Sequence, residues 1–537
     1  MQSCSVRAKD IDYNAVRSLI AQCDHEHQAI CGVSAKLWTK PLQHFYLIHC
    51  ESRRIISVHE PCDYVALSYV WGKPVNILGI SDTQSTFPQT IKDAIKVTTQ
   101  LEFSYLWVDR YCINQSSEVH KTTQIQQMGQ IYSQATLTII AAAGVNPSYG
   151  LPGVSRERIR LPCDVVIGAY RVTPVPDSPK SYIQNSVWAT RGWTYQEAYL
   201  SRRLLFFTDS QLLFECRGAA MKSSNLAKCY AETCTRHRKG GQTLKALVDN
   251  IDDFSSRELR FVQDRLRAFL GVLAHFSAAP VPIYHIWGVP LVFIRSRDKW
   301  ELFLHTWEAT QSDRNPGYPS WSWLGWTGRI SAKNVLDYAF NDYYSVKVEE
   351  KNQVVDLSPT LLQQYYSVGN SPEAAPAVLQ LESTVFPIYA VKHVQPNPGR
   401  KLMELIYDME RGSFGLVYGY QDLDVIPEMV NEPSWVTWQG RNGKWVYSKY
   451  TVLDRTFPGN LTGNEKTKLL AVNIGGRSIF SEVGILRAVG GGYETVGFIS
   501  LFKGSTILIE VGDGEVPQNK SVDCWAPRMT PDKVRWL

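Results

Sequence analysis

Short apolar runs alternate with amphipathic stretches between about residues 60 and 220, and this alternation restricts the fold more than any other feature of the chain. Residues 64–70, 105–109 and 136–143 predict buried strands, and residues 90–101 and 122–132 have helical periodicity. Strands that alternate with helices build a parallel sheet covered by helices. The order strand, helix, strand, helix, strand therefore predicts a doubly wound parallel α/β sheet.

The segments after the third strand predict an excursion, a helix and a hairpin. Residues 145–185 are rich in Pro and Gly and lack long periodic segments, so we expect them to form an excursion inserted into the α/β fold. A helix is expected to begin near residues 188–193 and to run through Glu197. Residues 201–216 (SRRLLFFTDSQLLFEC) predict a β-hairpin with Asp209 near its turn.

The last third of the chain has a different pattern. Short β-like runs separated by Gly and Asn, such as residues 468–474, 484–489 and 493–501, predict a mainly β carboxy-terminal region. The length of 537 residues exceeds the roughly 100–200 residues of one domain. We predict four regions: a helical and strand lead-in at 1–60, an α/β domain at 61–220, a helical and Trp-rich extension at 221–335, and a β-rich region at 336–537.

Composition and charge exclude several classes of protein. Hydrophobic residues make up 44% and charged residues 20%, which is typical of a globular protein. The net charge of +5 is too small to predict a nucleic-acid partner. Residues 1–10 lack the apolar segment of a signal peptide, and the apolar run 139–145 is too short to span a membrane. We therefore expect a protein of the cytosol or nucleus, and of the two we assign it to the cytoplasm.

The cysteines predict neither a disulfide framework nor a metal site. The chain has 11 scattered cysteines without a Cys-x-x-Cys pair, a usage typical of reduced thiols. Cys23, His27 and Cys31 have helical spacing, but a continuous helix would separate the two cysteines by about 12 Å along its axis. That distance is too large for both thiols to bind one tetrahedral zinc. Since a phosphate-cradling Gly-rich motif is also missing, we expect no bound cofactor.

Polar side chains fall where the predicted strands end. In open α/β sheets, ligands bind beyond the carboxyl ends of the strands, and Ser68, Tyr69 and Asp109 occupy such positions. Trp193 and Glu197 are four residues apart on one predicted helix and would share a face. An aromatic ring and a carboxylate could then contact the same substrate.

Three motifs follow one another along the chain: residues 64–72 (YVALSYVWG), 106–115 (LWVDRYCINQ) and 191–197 (RGWTYQE). In this order they resemble the heterokaryon-incompatibility (HET) domain, a module of fungal proteins tied to vegetative incompatibility. Flanking features also resemble longer proteins that carry this domain, so that the resemblance extends from about residue 20 to 330. The sequence departs from the family at Arg110-Tyr111 and at Tyr195, which affects any pocket beside Asp109.

The HET domain is in turn similar to the Toll/interleukin receptor (TIR) domain, a flavodoxin-like module. Residues 64–72 resemble the opening strand and loop of TIR domains, and Trp193-x3-Glu197 resembles the Trp and Glu of the helix that cleaves NAD in enzymatic members. The resemblance implies that Glu197 is catalytic and that NAD is a substrate, not a recycled cofactor. The candidate substrate contacts are Ser68, Tyr69, Trp71, Asp109, Arg110 and Trp193.

One carboxylate is sufficient for this chemistry. Loss of nicotinamide from NAD passes through a ribosyl cation, and the pyridinium departs as a neutral molecule without a general acid. Ordinary glycoside hydrolysis differs because it pairs two carboxyl groups. A buried Glu facing the ribose would stabilise the developing positive charge and hold the ribose hydroxyls.

Structural roles are alternatives for the same residues. Glu197 lies near Arg191, Arg202 and Arg203 in sequence and could be their salt-bridge partner. Asp109 could cap a turn or helix. The large aromatic side chains of Trp71, Trp107 and the tryptophans at 321–326 could instead be core residues.

The resemblance implies an effector of self/non-self recognition whose activity leads to programmed cell death. One alternative is a non-catalytic module that assembles with itself or with a protein partner. Another is an enzyme of small-molecule metabolism, catalysing a cyclisation or isomerisation on the HET fold, for which the Arg110-Tyr111 pair is the only indication.

Overall fold

The computed structural model describes residues 11–32, 42–72, 87–159, 165–167, 170–172, 179–218, 241–294, 299–303, 307–310, 313–332, 344–366, 372–391, 400–408, 413–416, 435–439, 445–449, 451–452, 467–475, 482–500, 506–512, 520–521 and 530–537. Its α-helices are α1 (Tyr13–Glu26), α2 (Gln28–Cys31), α3 (Gln89–Gln100), α4 (Asp109–Cys112), α5 (Glu118–Gln126), α6 (Met128–Gln134), α7 (Pro179–Gln184), α8 (Val187–Thr190), α9 (Gly192–Leu200), α10 (Leu244–Ser255), α11 (Arg267–Ser277) and α12 (Pro359–Tyr366). Short 3-10 helices occur at Val262–Asp264, Trp323–Gly325 and Pro372–Ala374.

The strands of the first half are β1 (Phe45–His49), β2 (Arg54–Val58), β3 (Val65–Ser68), β4 (Tyr105–Trp107), β5 (Leu137–Ala141), β6 (Val165–Ile167), β7 (Tyr170–Val172), β8 (Arg203–Phe207) and β9 (Leu212–Cys216). The later strands are β10 (Tyr284–Ile286), β11 (Val289–Ile294), β12 (Lys299–Leu302), β13 (Trp307–Thr310), β14 (Arg329–Ala332), β15 (Tyr344–Glu350), β16 (Gln353–Asp356), β17 (Leu379–Val391), β18 (Arg400–Asp408), β19 (Ser413–Leu416), β20 (Trp435–Gln439), β21 (Trp445–Lys449), β22 (Thr451–Val452), β23 (Thr467–Gly475), β24 (Glu482–Val489), β25 (Gly492–Ser500), β26 (Thr506–Gly512), β27 (Lys520–Ser521) and β28 (Thr530–Trp536).

The chain divides into two compact units. The first comprises Met1–Gly241 and Arg257–His275, and the second comprises Gln242–Ser256 and Phe276–Leu537. Among the described residues, no helix has both the length and the apolar character needed to cross a membrane.

The first unit is built on a mixed sheet with the strand order β2-β1-β4-β3-β5-β8-β9. Its central strands β4, β3, β5 and β8 are parallel, whereas β1, β2 and β9 pair antiparallel at the two edges. Every residue of β3, β5 and β8 is buried, which explains their mostly apolar sequences. The predicted doubly wound α/β fold is confirmed, with antiparallel strands added at both edges.

The parallel strands, numbered along the chain, have the flavodoxin-like order 2-1-3-4. The chain moves from β3 to β4 in one direction and from β4 to β5, past β3, in the other. Because such crossovers are right-handed, the reversal places helices on both faces of the sheet. The carboxyl ends of β3 and β5 therefore flank the point at which the order reverses, where open sheets of this kind bind ligands.

The sequence predicted these elements closely. The predicted strands at 64–70, 105–109 and 136–143 correspond to β3, β4 and β5, and the predicted helix at 90–101 corresponds to α3. The predicted hairpin at 201–216 is β8 and β9, paired from Arg203 and Cys216 to Phe207 and Leu212. Its first strand also pairs parallel with β5, a long-range contact that local pattern does not reveal.

The expected separation of Cys23 and Cys31 along one helix is wrong. Helix α1 ends at Glu26, and His27 has φ −121° and ψ 24°, outside the helical range. A second short helix, α2, then begins and changes the direction of the chain. As a result, the sulfur atoms of Cys23 and Cys31 lie within 4.8 Å of each other.

The second unit is mainly β, as the spacing of its short apolar runs predicts. Its large sheet contains the strand order β22-β25-β24-β23-β17-β20-β21-β26-β18-β19-β27, with β15, β16 and β28 attached through β17 and β25. Trp321, Trp323 and Trp326 are buried, and their indole N–H groups donate to carbonyl oxygens of Ala377, Gly288 and Ser320. These tryptophans, like Trp107 in the first unit, are core residues, as expected.

Candidate functional site

A buried hydrogen-bonded pair lies at the carboxyl end of β3. Ser68 is the last residue of β3, and its hydroxyl donates to the carboxylate of Glu197 on α9. The relative exposure of Ser68 is 1% and that of Glu197 is 5%. The structure thus brings together two predicted site residues that are 129 positions apart, beside the reversal of strand order.

Two further side chains complete the surroundings of Glu197. The indole Nε1 of Trp188, on α8, donates to Ser68 Oγ at 2.7 Å, so that Trp188, Ser68 and Glu197 form a chain of hydrogen bonds. The hydroxyl of Tyr132, on α6, lies near Glu197 and lowers its pKa, and it donates to the carbonyl oxygen of Leu67 at 3.3 Å. Trp188 also packs edge-to-face against Phe206, with ring centroids 6.1 Å apart. These contacts hold the carboxylate in one orientation.

Burial sets the charge state of Glu197. Removal from water and, to a smaller extent, the nearby carboxylate of Asp109 raise its pKa from 4.5 to about 7. The hydrogen bond from Ser68, the positive charge of Arg191 and the nearby Tyr132 hydroxyl act in the opposite direction without cancelling the effect of burial. The carboxyl group is therefore divided between its neutral and ionised forms near neutral pH.

Asp109 is the second carboxylate of this region. It is the first residue of α4; its Oδ2 accepts from Trp71 Nε1 at 2.7 Å, and its Oδ1 accepts from the backbone N–H of Arg110 at 2.7 Å. Although the residue is only half-buried overall, desolvation of its carboxylate raises the pKa to about 6. Asp109 thus bonds a backbone N–H at the start of α4 and also contributes a titratable charge close to Glu197.

The unusual Arg110-Tyr111 pair supports the same loop. The Arg110 guanidinium lies over the Trp71 ring, 5.8 Å from its centroid, and donates to the Trp71 carbonyl oxygen at 3.3 Å. Tyr111 packs edge-to-face against Phe87, with centroids 4.8 Å apart. Trp71 is half-buried; its ring packs against the hydrophobic core of this unit, and its indole N–H bonds Asp109 in the polar region.

Tyr69 offers a hydroxyl that is not used within the described part of the chain. That hydroxyl is buried and has no hydrogen-bond partner among the described residues. Burial and the neighbouring Asp109 raise the pKa of Tyr69 well above its ordinary value, while Arg110 and Arg191 oppose the shift. Because an unpaired buried hydroxyl costs about 1–3 kcal/mol, a ligand that pairs with it would recover that free energy.

Trp193 is half-buried on α9, and within the described residues no hydrogen bond or ring contact joins it to Ser68, Asp109 or Glu197. Its contact with substrate stays a prediction. Trp188 is the indole that reaches the carboxylate, and sequence reasoning missed it together with Tyr132. A tryptophan five residues before Trp193 was the available signal for Trp188, whereas Tyr132 had only its place on a helical face.

The neighbouring arginines do not form an ion pair with Glu197 in the described part of the chain. Arg202 donates to the carbonyl oxygens of Gln134 and Ala135 at 2.8 and 3.0 Å. Arg203 donates to the carbonyl oxygen of Thr136 at 3.1 Å. Arg191 donates to the carbonyl oxygen of Tyr69. Within the described residues, the alternative that Glu197 is the salt-bridge partner of these arginines is therefore wrong, and Arg203 pairs with Asp24 instead.

Glycines of two motifs have identifiable roles. Gly72 has φ +71°, a conformation that other residues rarely adopt. Gly192 starts α9, and a Cβ at this position would lie 2.5 Å from the side chain of Leu259. Close packing at Gly192 places the helix that carries Glu197.

An open groove of about 820 Å³ lies elsewhere in this unit, along α3. Charged side chains such as Glu51, Lys92 and Lys96 line it, and none of the seven predicted site residues does. Size alone does not select a site, so we base the candidate site on the buried, hydrogen-bonded carboxylates and not on this groove.

The comparisons with known proteins agree with the motif assignment. Residues 64–197 match the family model of the heterokaryon incompatibility protein (HET). The chain is 30% identical over 99 residues to Heterokaryon incompatibility protein 6, OR allele, of Neurospora crassa, and this segment covers 16% of the chain and 15% of that protein. No solved structure matches the chain. The matched segment begins at Tyr64, next to β3, and ends at Glu197, and this chain therefore carries a heterokaryon incompatibility (HET) domain at residues 64–197.

Proposed function

We propose that this chain is an effector of heterokaryon incompatibility that acts in the cytoplasm and causes cell death through cleavage of NAD by its HET domain. The HET match and the name of the Neurospora relative support the biological role. The flavodoxin-like strand order supports the similarity to TIR domains. NAD is the substrate, and the partners are other copies of the chain or proteins that trigger assembly.

The buried Glu197 beside the reversal of strand order is the observation that carries this proposal. Its carboxylate is hydrogen-bonded, desolvated and poised near neutral pH, which are properties of functional carboxylates. Asp109 lies close enough to Tyr69 to raise its pKa. Within the described part of the chain the Tyr69 hydroxyl has no hydrogen-bond partner, so it can bond a ligand.

The proposed reaction breaks the bond between ribose C1' and the nicotinamide nitrogen. The electron pair of that bond stays on the nitrogen, so the positively charged pyridinium leaves as neutral nicotinamide. The ionised carboxylate of Glu197 stabilises the positive charge that develops on the ribose and accepts hydrogen bonds from its hydroxyls. Water then adds to C1' and loses a proton, which yields ADP-ribose.

Nicotinamide release tests the proposal. The full chain, at high concentration and with a crowding agent that promotes assembly, is incubated with NAD and the products are separated by chromatography. We expect release by the parent chain and none by Glu197→Gln. Glu215→Gln is the matched control, because Glu215 is another buried glutamate of the same unit, on β9, and this variant should retain activity.

Two outcomes would contradict NAD cleavage. Absence of release from the parent chain under assembling conditions would count against a hydrolase. Equal release by the parent and Glu197→Gln would remove Glu197 from the mechanism. If Glu197→Gln still triggered cell death in a fungal host, the HET domain would act by assembly and not by catalysis.

A further inference from the structure

We propose that Cys23, His27, Cys31 and Cys216 form a structural zinc site that joins the amino-terminal helices to the edge strand of the sheet. The sulfur atoms and the imidazole nitrogen of these four residues all lie within 4.8 Å of one another. Zinc bonds of about 2.3 Å to sulfur and about 2.0 Å to nitrogen place tetrahedral ligand atoms about 3.5–3.8 Å apart. A small contraction of the cluster therefore accommodates one ion.

The ligands come from separate parts of the chain. Cys23 lies in the last turns of α1, His27 lies at the bend between α1 and α2, and Cys31 ends α2. Cys216 is the last residue of β9. The change of direction at His27 brings the first three together, and the edge strand supplies the fourth. A site with ligands from elements so distant in sequence would stabilise the folded chain more than the unfolded one.

Burial favours a closed site. Cys23 and Cys31 have 0% exposure and Cys216 has 2%, and none of these three cysteines is in a disulfide bond. Cys216 Sγ lies 3.4 Å from His27 Nδ1. Four protein ligands leave no position for water or substrate, which distinguishes a structural zinc site from a catalytic one.

Groups around the cluster match the needs of zinc-bound thiolates. Arg203 Nε donates to Cys23 Sγ at 3.2 Å, and the backbone N–H of Gly218 donates to Cys31. Three thiolates and a neutral imidazole around Zn²⁺ leave a single negative charge, and the buried guanidinium of Arg203, which also pairs with the Asp24 carboxylate, places a positive charge beside the site. These contacts provide the outer shell of hydrogen bonds that metal ligands usually have.

Gly218 is shaped for the His27 ring. A Cβ at position 218 would lie 2.1 Å from His27 Cγ, so only glycine leaves room for the imidazole in this position. The chain immediately after Cys216 therefore packs closely against the ring of His27.

The soft ligand set selects the ion. Three thiols and an imidazole suit zinc, whereas calcium and magnesium require oxygen ligands. The short distances between ligand atoms fit a single ion and not an iron–sulfur cluster, whose several iron atoms separate the protein ligands further.

Metal content and cobalt spectroscopy test the site in the full chain. The protein, produced with zinc in the medium and purified without chelators, should contain about one zinc per chain by mass spectrometry of the metal. Cobalt exchanged into it should give the intense visible bands of tetrahedral Co²⁺ and thiolate-to-cobalt charge-transfer absorption. We expect the zinc content of Cys31→Ser and of Cys216→Ser to be at least about tenfold lower than that of the parent chain. Cys50→Ser changes a buried thiol outside the cluster and should keep the zinc content of the parent.

Exchange of the imidazole ligand for a thiol tests the site even if the serine variants fail to fold. His27→Cys should retain zinc and shift the cobalt bands to longer wavelength, because the set becomes four thiolates. Fewer than about 0.1 zinc per parent chain, together with no charge-transfer absorption after cobalt addition, would overturn the proposal. A disulfide between two of the three cysteines in the freshly purified parent chain, detected by its mass before and after reduction, would also overturn it.

Discussion

The hydroxyl of Ser68 donates to the carboxylate of Glu197, which lies 129 residues further along the chain. The bond joins the end of β3 to the middle of α9 and places a desolvated carboxyl group where the strand order reverses. Such a carboxylate is costly to ionise in the folded protein, and the cost is expected to depend on pH in a defined direction.

Replacement of Glu197 by glutamine should stabilise the protein at neutral pH. The pKa of Glu197 is raised from 4.5 to about 7, so the folded state holds its proton more tightly than the unfolded state. The protonated carboxyl group therefore stabilises the folded state, and this contribution is complete below about pH 4.5 and is lost as the pH rises to about 7. Because glutamine cannot ionise, the free energy of unfolding of Glu197→Gln should exceed that of the parent by about 2–3 kcal/mol at pH 8 and by much less at pH 5. Thermal unfolding at both pH values checks this, and an equal difference at both would contradict it.

The rate of nicotinamide release should rise with pH through about 7. The ionised form of Glu197 is the one that stabilises a ribosyl cation, and its fraction increases as the pH passes the raised pKa of about 7. The measurement is kcat/KM for nicotinamide release between about pH 5.5 and 8.5. A rate that falls with pH in this range would show that a protonated carboxyl group is required instead.

Removal of the Asp109 charge should move that pH midpoint to lower pH. Asp109 raises the pKa of Glu197 through the repulsion of like charges, so Asp109→Asn lowers it. Glu118→Gln is the control, since Glu118 is exposed on α5 and should leave the profile unchanged. The shift is read from the activity profile or, if the variant is inactive, from the pH dependence of the stability difference between Asp109→Asn and the double variant Asp109→Asn/Glu197→Gln. An unchanged midpoint would mean that the two carboxylates do not interact.

Loss of the Ser68 hydroxyl should destabilise the first unit. Ser68→Ala leaves both the Trp188 indole N–H and the Glu197 carboxylate without this partner, at a cost of about 1–3 kcal/mol. Trp188→Phe removes only one donor and keeps an aromatic ring against Phe206, so its cost should be smaller. Urea unfolding followed by far-UV circular dichroism gives both values. A larger loss in Trp188→Phe than in Ser68→Ala would show that packing of the indole, and not the hydrogen-bond chain, dominates.

The first unit shows which parts of the fold the local pattern of apolar residues predicts. Apolar runs at 64–70 and 136–143 predicted β3 and β5 because strands buried on both faces need continuous apolar sequence. The pairing of β8 with β5, and the addition of β1, β2 and β9 to the edges, lay beyond that reasoning. Strand partners depend on contacts between distant residues, which periodicity does not encode.

The amino-terminal cysteines show most directly that sequence spacing alone does not predict which side chains meet. Their spacing of eight residues prevents both thiols from binding one metal ion only if the helix is continuous. The bend at His27 interrupts the helix, so this restriction does not apply. Cys216, the fourth member of the cluster, has no sequence relationship to Cys23 that could have revealed it.

The amino-acid sequence by itself determined the α/β class, the β-rich carboxy-terminal region, the HET motifs and the candidates Ser68, Asp109 and Glu197, because periodicity and motif spacing are local properties. Only the tertiary structure decided that Ser68 bonds Glu197, that Trp188 and Tyr132 accompany them, and that Trp71 holds Asp109. The physical reason is that burial and hydrogen-bond partners arise when remote segments pack together, and these contacts set the charge of each carboxylate.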